Sequence, residues 1–170
     1  MYKQTDICHC KNQRKTFALY LKKEKYMKVE TEHQKLLWLP DYDTGVVVID
    51  NYHKKYLDIY NSLIDSIKET IEDTNMQLIF HKLMHYVENL LIDEEILFKE
   101  FHYPKLKNHK ESHLQFTEKI LDFYKKYNEE KTTVVYELAD YLNNWFQTHI
   151  LQYDKEAIEY LKIENSVTKN

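Results

Sequence analysis

From Ile49 onward the apolar residues of this chain recur in steps of three and four, interrupted at intervals by short polar breaks. That period marks helices with one buried face. Four stripes follow one another. The first runs through Ile49, Tyr52, His53, Tyr56, Tyr60, Leu63, Ile67 and Ile71, and the second through Met76, Ile79, Leu83, Val87, Leu90, Glu94, Leu97 and Phe101. The third carries Leu106, His109, His113, Phe116, Ile120, Phe123 and Tyr127, and the fourth Val135, Leu138, Leu142, Trp145, His149, Gln152 and Tyr160. The breaks are "EDTN" (72–75), "HYPK" (102–105) and "NEEKT" (128–132). Thr74 and Asn75 are expected helix N-caps, and Pro104 suits a helix start. Breaks this short force successive helices antiparallel. The pattern therefore predicts an all-α fold, an antiparallel up-down-up-down four-helix bundle over residues 36–165. An N-terminal extension, residues 1–35, precedes it, partly helical or disordered, with a short amphipathic stretch from Phe17 to Val29. "WLPDYDTG" (38–45) reads as ordered coil, with Trp38 docked on the core and Pro40, Asp43 and Gly45 in turns.

Composition agrees with that reading. One Gly and two Pro among 170 residues suit long helices better than a turn-rich β-fold. A formal charge of −4, with Arg14 the lone arginine, gives no basic patch for nucleic acid or an acidic membrane surface. No apolar run approaches the ~18 residues of a membrane span, and Met1–Cys10 lacks the apolar core of a secretion signal. Cys8 and Cys10 are too close and too few for a disulfide framework, which fits a reducing, cytoplasmic setting. "CHC" (8–10) does not close a tetrahedral metal site by itself and reads as a solvated tail.

The polar residues on the stripes carry the chemistry. His53 interrupts the first, Glu94 the second, His109 and His113 the third and His149 the fourth, each near mid-helix. Mid-helix positions of an antiparallel bundle meet at one height. Each residue alone has an ordinary explanation: a buried histidine bonded to a carbonyl, or a glutamate paired with lysine. Together, imidazoles and a carboxylate converging at one level are less costly when they coordinate a cation. No cysteine lies in the helices, so thiolate zinc and iron–sulfur sites drop out; imidazole with carboxylate suits non-haem iron, manganese or zinc.

The segments "GVVVIDNYHKKYLDIYN" (45–61), "YVENLLIDEEILF" (86–98), "YPKLKNHKESHLQF" (103–116) and "LNNWFQTHILQYD" (142–154) resemble, in order, the motifs of the bacterial hemerythrins. The resemblance runs from Trp38 to about Leu161. It implies a di-iron centre that binds O2 reversibly, held by histidines, one Glu and one Asp. His53 matches the first-helix ligand, Glu94 the second-helix carboxylate, His109 and His113 the HxxxH, and His149 with Asp154 the HxxxxD. By resemblance Glu94 and Asp154 bridge two irons, with His109, His113 and His149 on one and His53 on the other. Spacing alone does not select Asp154: five residues turn an ideal helix about 500°, which needs a π-type bulge or a reach around opposite sides.

Leu90 departs from the pattern, standing where the family has the other histidine of the second iron. Leu91 replaces the usual Phe, and Tyr52 the usual Gln. Three consequences are open for the second iron: water in the vacancy, loading of the three-histidine iron alone, or a substitute donor. Tyr86, one turn before Leu90, is better aimed than His85. An empty bundle with a relic site is the bland alternative. His9, His33, His81, His85 and His102 read as surface residues, and Glu95 as solvated. Val87, Leu90, Leu91, Phe116 and Trp145 are expected to line a dry pocket. The leading functional reading is a non-enzymatic protein that binds O2, for carriage, storage or sensing, at a di-iron site lacking one histidine. The alternatives are an enzyme reducing NO or peroxide at the open iron, or iron storage and buffering.

Overall fold

A computed structural model describes residues 33–69, 71–129 and 131–167, and those from Lys35 on belong to one compact unit. Cys8–Cys10 and the Phe17–Val29 stretch lie outside the described residues. Helix α1 is Val47–Lys68. Helix α2, Asp73–His85, continues through a π-helical turn, Tyr86–Leu90, into α3, Leu91–Glu100. Helix α4 is Leu106–Glu129. Helix α5, Lys131–Trp145, continues through a longer π-helical segment, Phe146–Asp154, into α6, Lys155–Val167. The molecule is thus the expected all-α bundle of four rods, each packed on its neighbours in sequence and the fourth closing against the first. Among the described residues no helix is long and apolar enough to cross a membrane.

The stripes bury the residues their period selects. Ile49, Leu63, Met76, Leu83, Phe116, Ile120, Val135, Leu138 and Leu142 are fully enclosed. Some boundaries differ from expectation. Helix α2 starts at Asp73, so Thr74 and Asn75 sit in its first turn; the N-cap is Glu72, and its side chain makes no capping bond. Ile71 follows the end of α1 and is half-buried. The third break shrinks, because α4 runs through Glu129 and α5 begins at Lys131.

Two local devices position the middle of the bundle. The segment before α1 is a strap tied at both ends. Leu36 and Asn61 exchange two 2.9 Å hydrogen bonds, and the Thr44 N–H and O–H both donate to Asp50 at 2.7 Å. Between them a 3₁₀ turn, Pro40–Tyr42, sets Tyr42 edge-on to Phe146 and Trp38 beside His53, ring centroids 5.3 and 6.4 Å apart. At the end of α3, His102 takes a left-handed conformation (φ 54°). The N–H of His102 donates to Lys99 O and that of Tyr103 to Phe98 O, the paired bonds of a Schellman cap. The cap brings Tyr103 onto Phe98 (5.6 Å), and Phe98 lies edge-on to His109 at 4.9 Å.

Left-handed backbone costs a residue with a Cβ roughly 1–2 kcal/mol, part of which glycine returns as chain entropy. His102→Gly is therefore expected to raise stability by about 0.5–1 kcal/mol, read as a higher urea midpoint at unchanged slope. A pH effect is expected at the far end. The Tyr127 O–H donates to Asp73 at 2.9 Å, and burial, then the Asp73 carboxylate, push the phenol up to about 12. An unfolded tyrosine ionises near 10, so stability falls as pH rises from about 10 towards 12. Tyr127→Phe should flatten part of that fall in an alkaline denaturation series.

Candidate metal centre

Antiparallel rods place residues in layers. Ile49, Phe98, Tyr103, Ala157, Ile158 and Leu161 form an apolar cluster at one level. Tyr56 forms an aromatic layer with Tyr86, Phe116 and Phe146, its ring centroid 5.4, 6.3 and 6.3 Å from theirs. Along each rod the polar intruders fall between these two layers: His53 on α1, Glu94 on α3, His109 and His113 on α4, and His149 and Asp154 on the π segment. All six are buried, none more than 4% exposed.

The π segment answers the spacing problem at Asp154. Hydrogen bonds that skip five residues widen the turn, so a side chain five positions on returns to the same face. His149 and Asp154 both lie inside Phe146–Asp154, and the His149 Nε2 sits 3.1 Å from Asp154 Oδ1. The donor atoms of Glu94, His109, His113, His149 and Asp154 all lie within 4.8 Å of one another. Two donors on one first-row ion stand at most about 4.2 Å apart, so closing on a cation needs only small shifts. His53 is outside this group but adjoins it, its Nε2 3.1 Å from Asp154 Oδ2. Asp154 thus faces two ways, Oδ1 toward His109 (3.3 Å) and His149, Oδ2 toward His53.

The outer partners fix how the imidazoles point. Ser112 Oγ donates its proton to His109 O at 2.7 Å, so it accepts from His149 Nδ1–H at 3.1 Å. Glu95 Oε1 accepts from His113 Nδ1–H at 3.0 Å. With Nδ1 protonated in both rings, both Nε2 lone pairs aim inward, 2.9 Å apart. Two lone pairs that close repel unless a proton or a cation lies between them. Without metal the proton resides on His113: burial opposes its charge, but the hydrogen bonds to Glu94 and Glu95 push its pKa up to about 9. His149 moves the other way, lowered by burial against the pull of Asp154. The proton leaves the set incompletely satisfied, because His109 Nε2 and Asp154 Oδ1 are buried without a hydrogen bond.

The carboxylates are held ionised. Burial and the Asp154 charge push Glu94 up, yet the imidazoles of His109 and His113, 3.5 and 3.4 Å from its Oε2, outweigh them and its pKa falls below the ordinary value. Burial likewise opposes ionised Asp154, and His149 and His53 overcome it, holding the carboxyl well below the usual range. His53 is raised: burial lowers it, and Asp154, Glu94 and Asp50 more than reverse that. The indole of Trp145 stacks on His149, centroids 4.0 Å apart at 12°, and closes the site against Phe116 at 4.2 Å.

Other expectations divide. Val87, Leu90, Leu91, Phe116 and Trp145 are all buried around the centre. His81, His85 and His102 are exposed, whereas His33 is buried. Glu95 is not solvated as expected: it is half-buried, bonded to His113 and paired with Lys110 at 2.6 Å. Reading it as solvated assumed that a neighbour of Glu94 must face away, but a glutamate is long enough to reach sideways to the Nδ1 of a facing helix. Ser112 was missed because its role depends on where the His149 ring of a facing helix falls. Leu90 is buried beside Tyr86 with no donor to offer; the Tyr86 phenol is raised well above its usual range by burial and then by Glu94 and Asp154, so it lies within their field.

The Hemerythrin HHE cation binding domain family matches residues 44–161. The chain belongs to the hemerythrin family. It is 29% identical over 128 residues to a bacteriohemerythrin of Clostridium acetobutylicum, covering 72% of this chain and 98% of that protein. Bacteriohemerythrins of Pseudomonas aeruginosa and Stenotrophomonas maltophilia are 26% and 24% identical over 127 and 132 residues, each match covering 75% of this chain and 82% of the relative. The matched hemerythrin segment contains all six residues of the polar layer.

Partners of metal-bound histidines typically change affinity by about 10–100-fold when removed. If the layer holds a cation, Glu95→Gln should weaken metal retention within that range, measured by competition with a chelator, while the helix content stays unchanged. Retention equal to the parent would show that Glu95 does not act through His113.

Proposed function

We propose that this hemerythrin-family protein binds O2 at a non-haem di-iron site whose second iron is weakly held. The observation that carries the reading is the two-sided Asp154, with His109 and His149 at Oδ1, His113 in the same donor cluster, and His53 at Oδ2. His109, His113, His149, Glu94 and Asp154 would hold the first iron. His53, Asp154 and Glu94 would hold the second, where Leu90 supplies no ligand. Iron, when bound, supplies the reversible electron exchange that O2 binding requires. The chain's own residues do the rest. Glu95 and Ser112 orient His113 and His149, the carboxylates neutralise the charge, and the aromatic layer with Leu90, Leu91 and Trp145 keeps water and protons out. A site that dry favours reversible binding over hydrolysis.

Leu90 also supports a second reading. A position short of one ligand leaves room for NO or peroxide to be reduced, or for iron to come and go as in a buffer. Tyr86 stands beside that position and is the nearest candidate for a substitute oxygen. Iron per chain, read with the absorption spectrum before and after dialysis, tests the proposal. The parent should retain one iron tightly and lose a second, and Leu90→His should retain two and show a stronger reversible colour change with O2. Turnover of NO or peroxide with a reductant that falls in Leu90→His would favour the enzyme reading. A chain that takes up no iron from iron-replete medium would contradict both. Tyr86→Phe should alter iron retention only if its oxygen is the substitute donor.

A further inference from the structure

A cavity of about 380 Å³ opens between α1 and the second rod, on the outer side of Leu90. Its floor is Ile59, Tyr86 and Leu90, all buried. Its rim carries Lys55 and Lys82 against a single acid, Asp58. His81 and His85, four apart on the exposed face of α2, add ring N–H groups and no negative charge. Among the described residues neither lysine is held in an ion pair; Lys55 rests over the Tyr52 ring at 5.8 Å. An apolar floor of this size with a few polar groups at the mouth is the build of a small-molecule site. The sign of the rim selects the ligand's charge. The larger groove of about 530 Å³ beside α3 and α4 has no such bias, because Glu88, Glu95 and Glu111 face Lys107 and Lys110 there.

We propose that the cavity beside Leu90 binds a small organic monocarboxylate, with its hydrocarbon part on Ile59, Tyr86 and Leu90 and its carboxylate at Lys55 and Lys82. Lysines on long stems suit this, since their methylenes extend the apolar wall while the ammonium groups stay at the mouth. The charge balance of the rim, two lysines against one aspartate, matches one negative charge. Tyr86 is a shared wall, since it also packs on Tyr56 of the aromatic layer and feels the carboxylates of the metal centre; Leu90 lines the cavity beside it. An occupant would therefore press on the side chain that stands at the missing-ligand position. None of the six residues of the polar layer lines the cavity, so this binding does not depend on the iron reading.

Isothermal titration of the full chain as purified, with hexanoate, hexan-1-ol and hexylammonium, tests the proposal. Hexanoate should bind tightest, with Kd on the order of 0.1–1 mM, hexanol several-fold weaker and hexylammonium weakest. The hexanoate advantage should shrink as salt rises. Lys55→Glu with Lys82→Glu should weaken hexanoate about tenfold and favour hexylammonium, with hexanol unchanged. Ile59→Trp should fill the floor and abolish all three. Equal affinity for the three probes, an order of preference unchanged by the double lysine reversal, or no heat with hexanoate would each overturn the proposal. The double reversal lies on exposed residues, so it remains readable if the Trp variant does not fold.

Discussion

The core of this bundle turns on a close approach between two nitrogen atoms. His113 Nε2 and His149 Nε2 both turn inward and stand 2.9 Å apart, an approach that is favourable only with a proton or a cation between them. The arrangement is imposed from outside: Glu95 takes the Nδ1 proton of one ring and Ser112 that of the other. Neighbouring rings hold both imidazoles in place: Trp145 lies flat on His149, and His109 stands edge-on to His113 with centroids 4.4 Å apart. A fold that only needed to fill its core would place leucines here. This one spends six buried polar side chains on a layer that a single proton leaves partly unsatisfied, with two buried atoms unbonded. A divalent cation satisfies such a layer at once, since it accepts every inward lone pair and offsets both carboxylates.

The rest of the structure serves that layer. The apolar cluster around Phe98 and Ile158 and the aromatic layer around Tyr56 enclose it from the two ends of the bundle. In so low a dielectric, the ionised state of Glu94 and Asp154 depends wholly on their imidazole partners. The strap, tied at Thr44–Asp50 and Leu36–Asn61, sets Trp38 beside His53. The π segment in the fourth rod is the most consequential element. Without it, His149 and Asp154 would point to different faces, and one carboxylate could not serve both His149 and His53.

Much of this was legible in the sequence. The three-and-four period gave the rods, and the histidines on apolar stripes gave the layer, because burial of several polar groups at one height has few explanations. Asp154 was legible only through family resemblance; a five-residue step argues against it on an ideal helix, and no residue in Phe146–Asp154 announces a π turn. The second π turn, Tyr86–Leu90, was likewise silent. Glu95 and Ser112 were hidden because their roles depend on which side chain of a facing helix meets them, His113 and His149, and periodicity does not contain that pairing. The helix-start residues misjudged at Thr74 and Asn75 show the usual weakness at boundaries, where a capping residue type competes with one more turn of helix.

The direct test of the central claim is an anomalous difference map, recorded at the iron edge, from crystals of the protein grown with ferrous iron. The account predicts a strong peak among His109 Nε2, His113 Nε2, His149 Nε2 and Asp154 Oδ1, with a second, weaker peak between Asp154 Oδ2 and His53. Imidazoles still bonded to one another, with no anomalous scatterer in the layer, would contradict it.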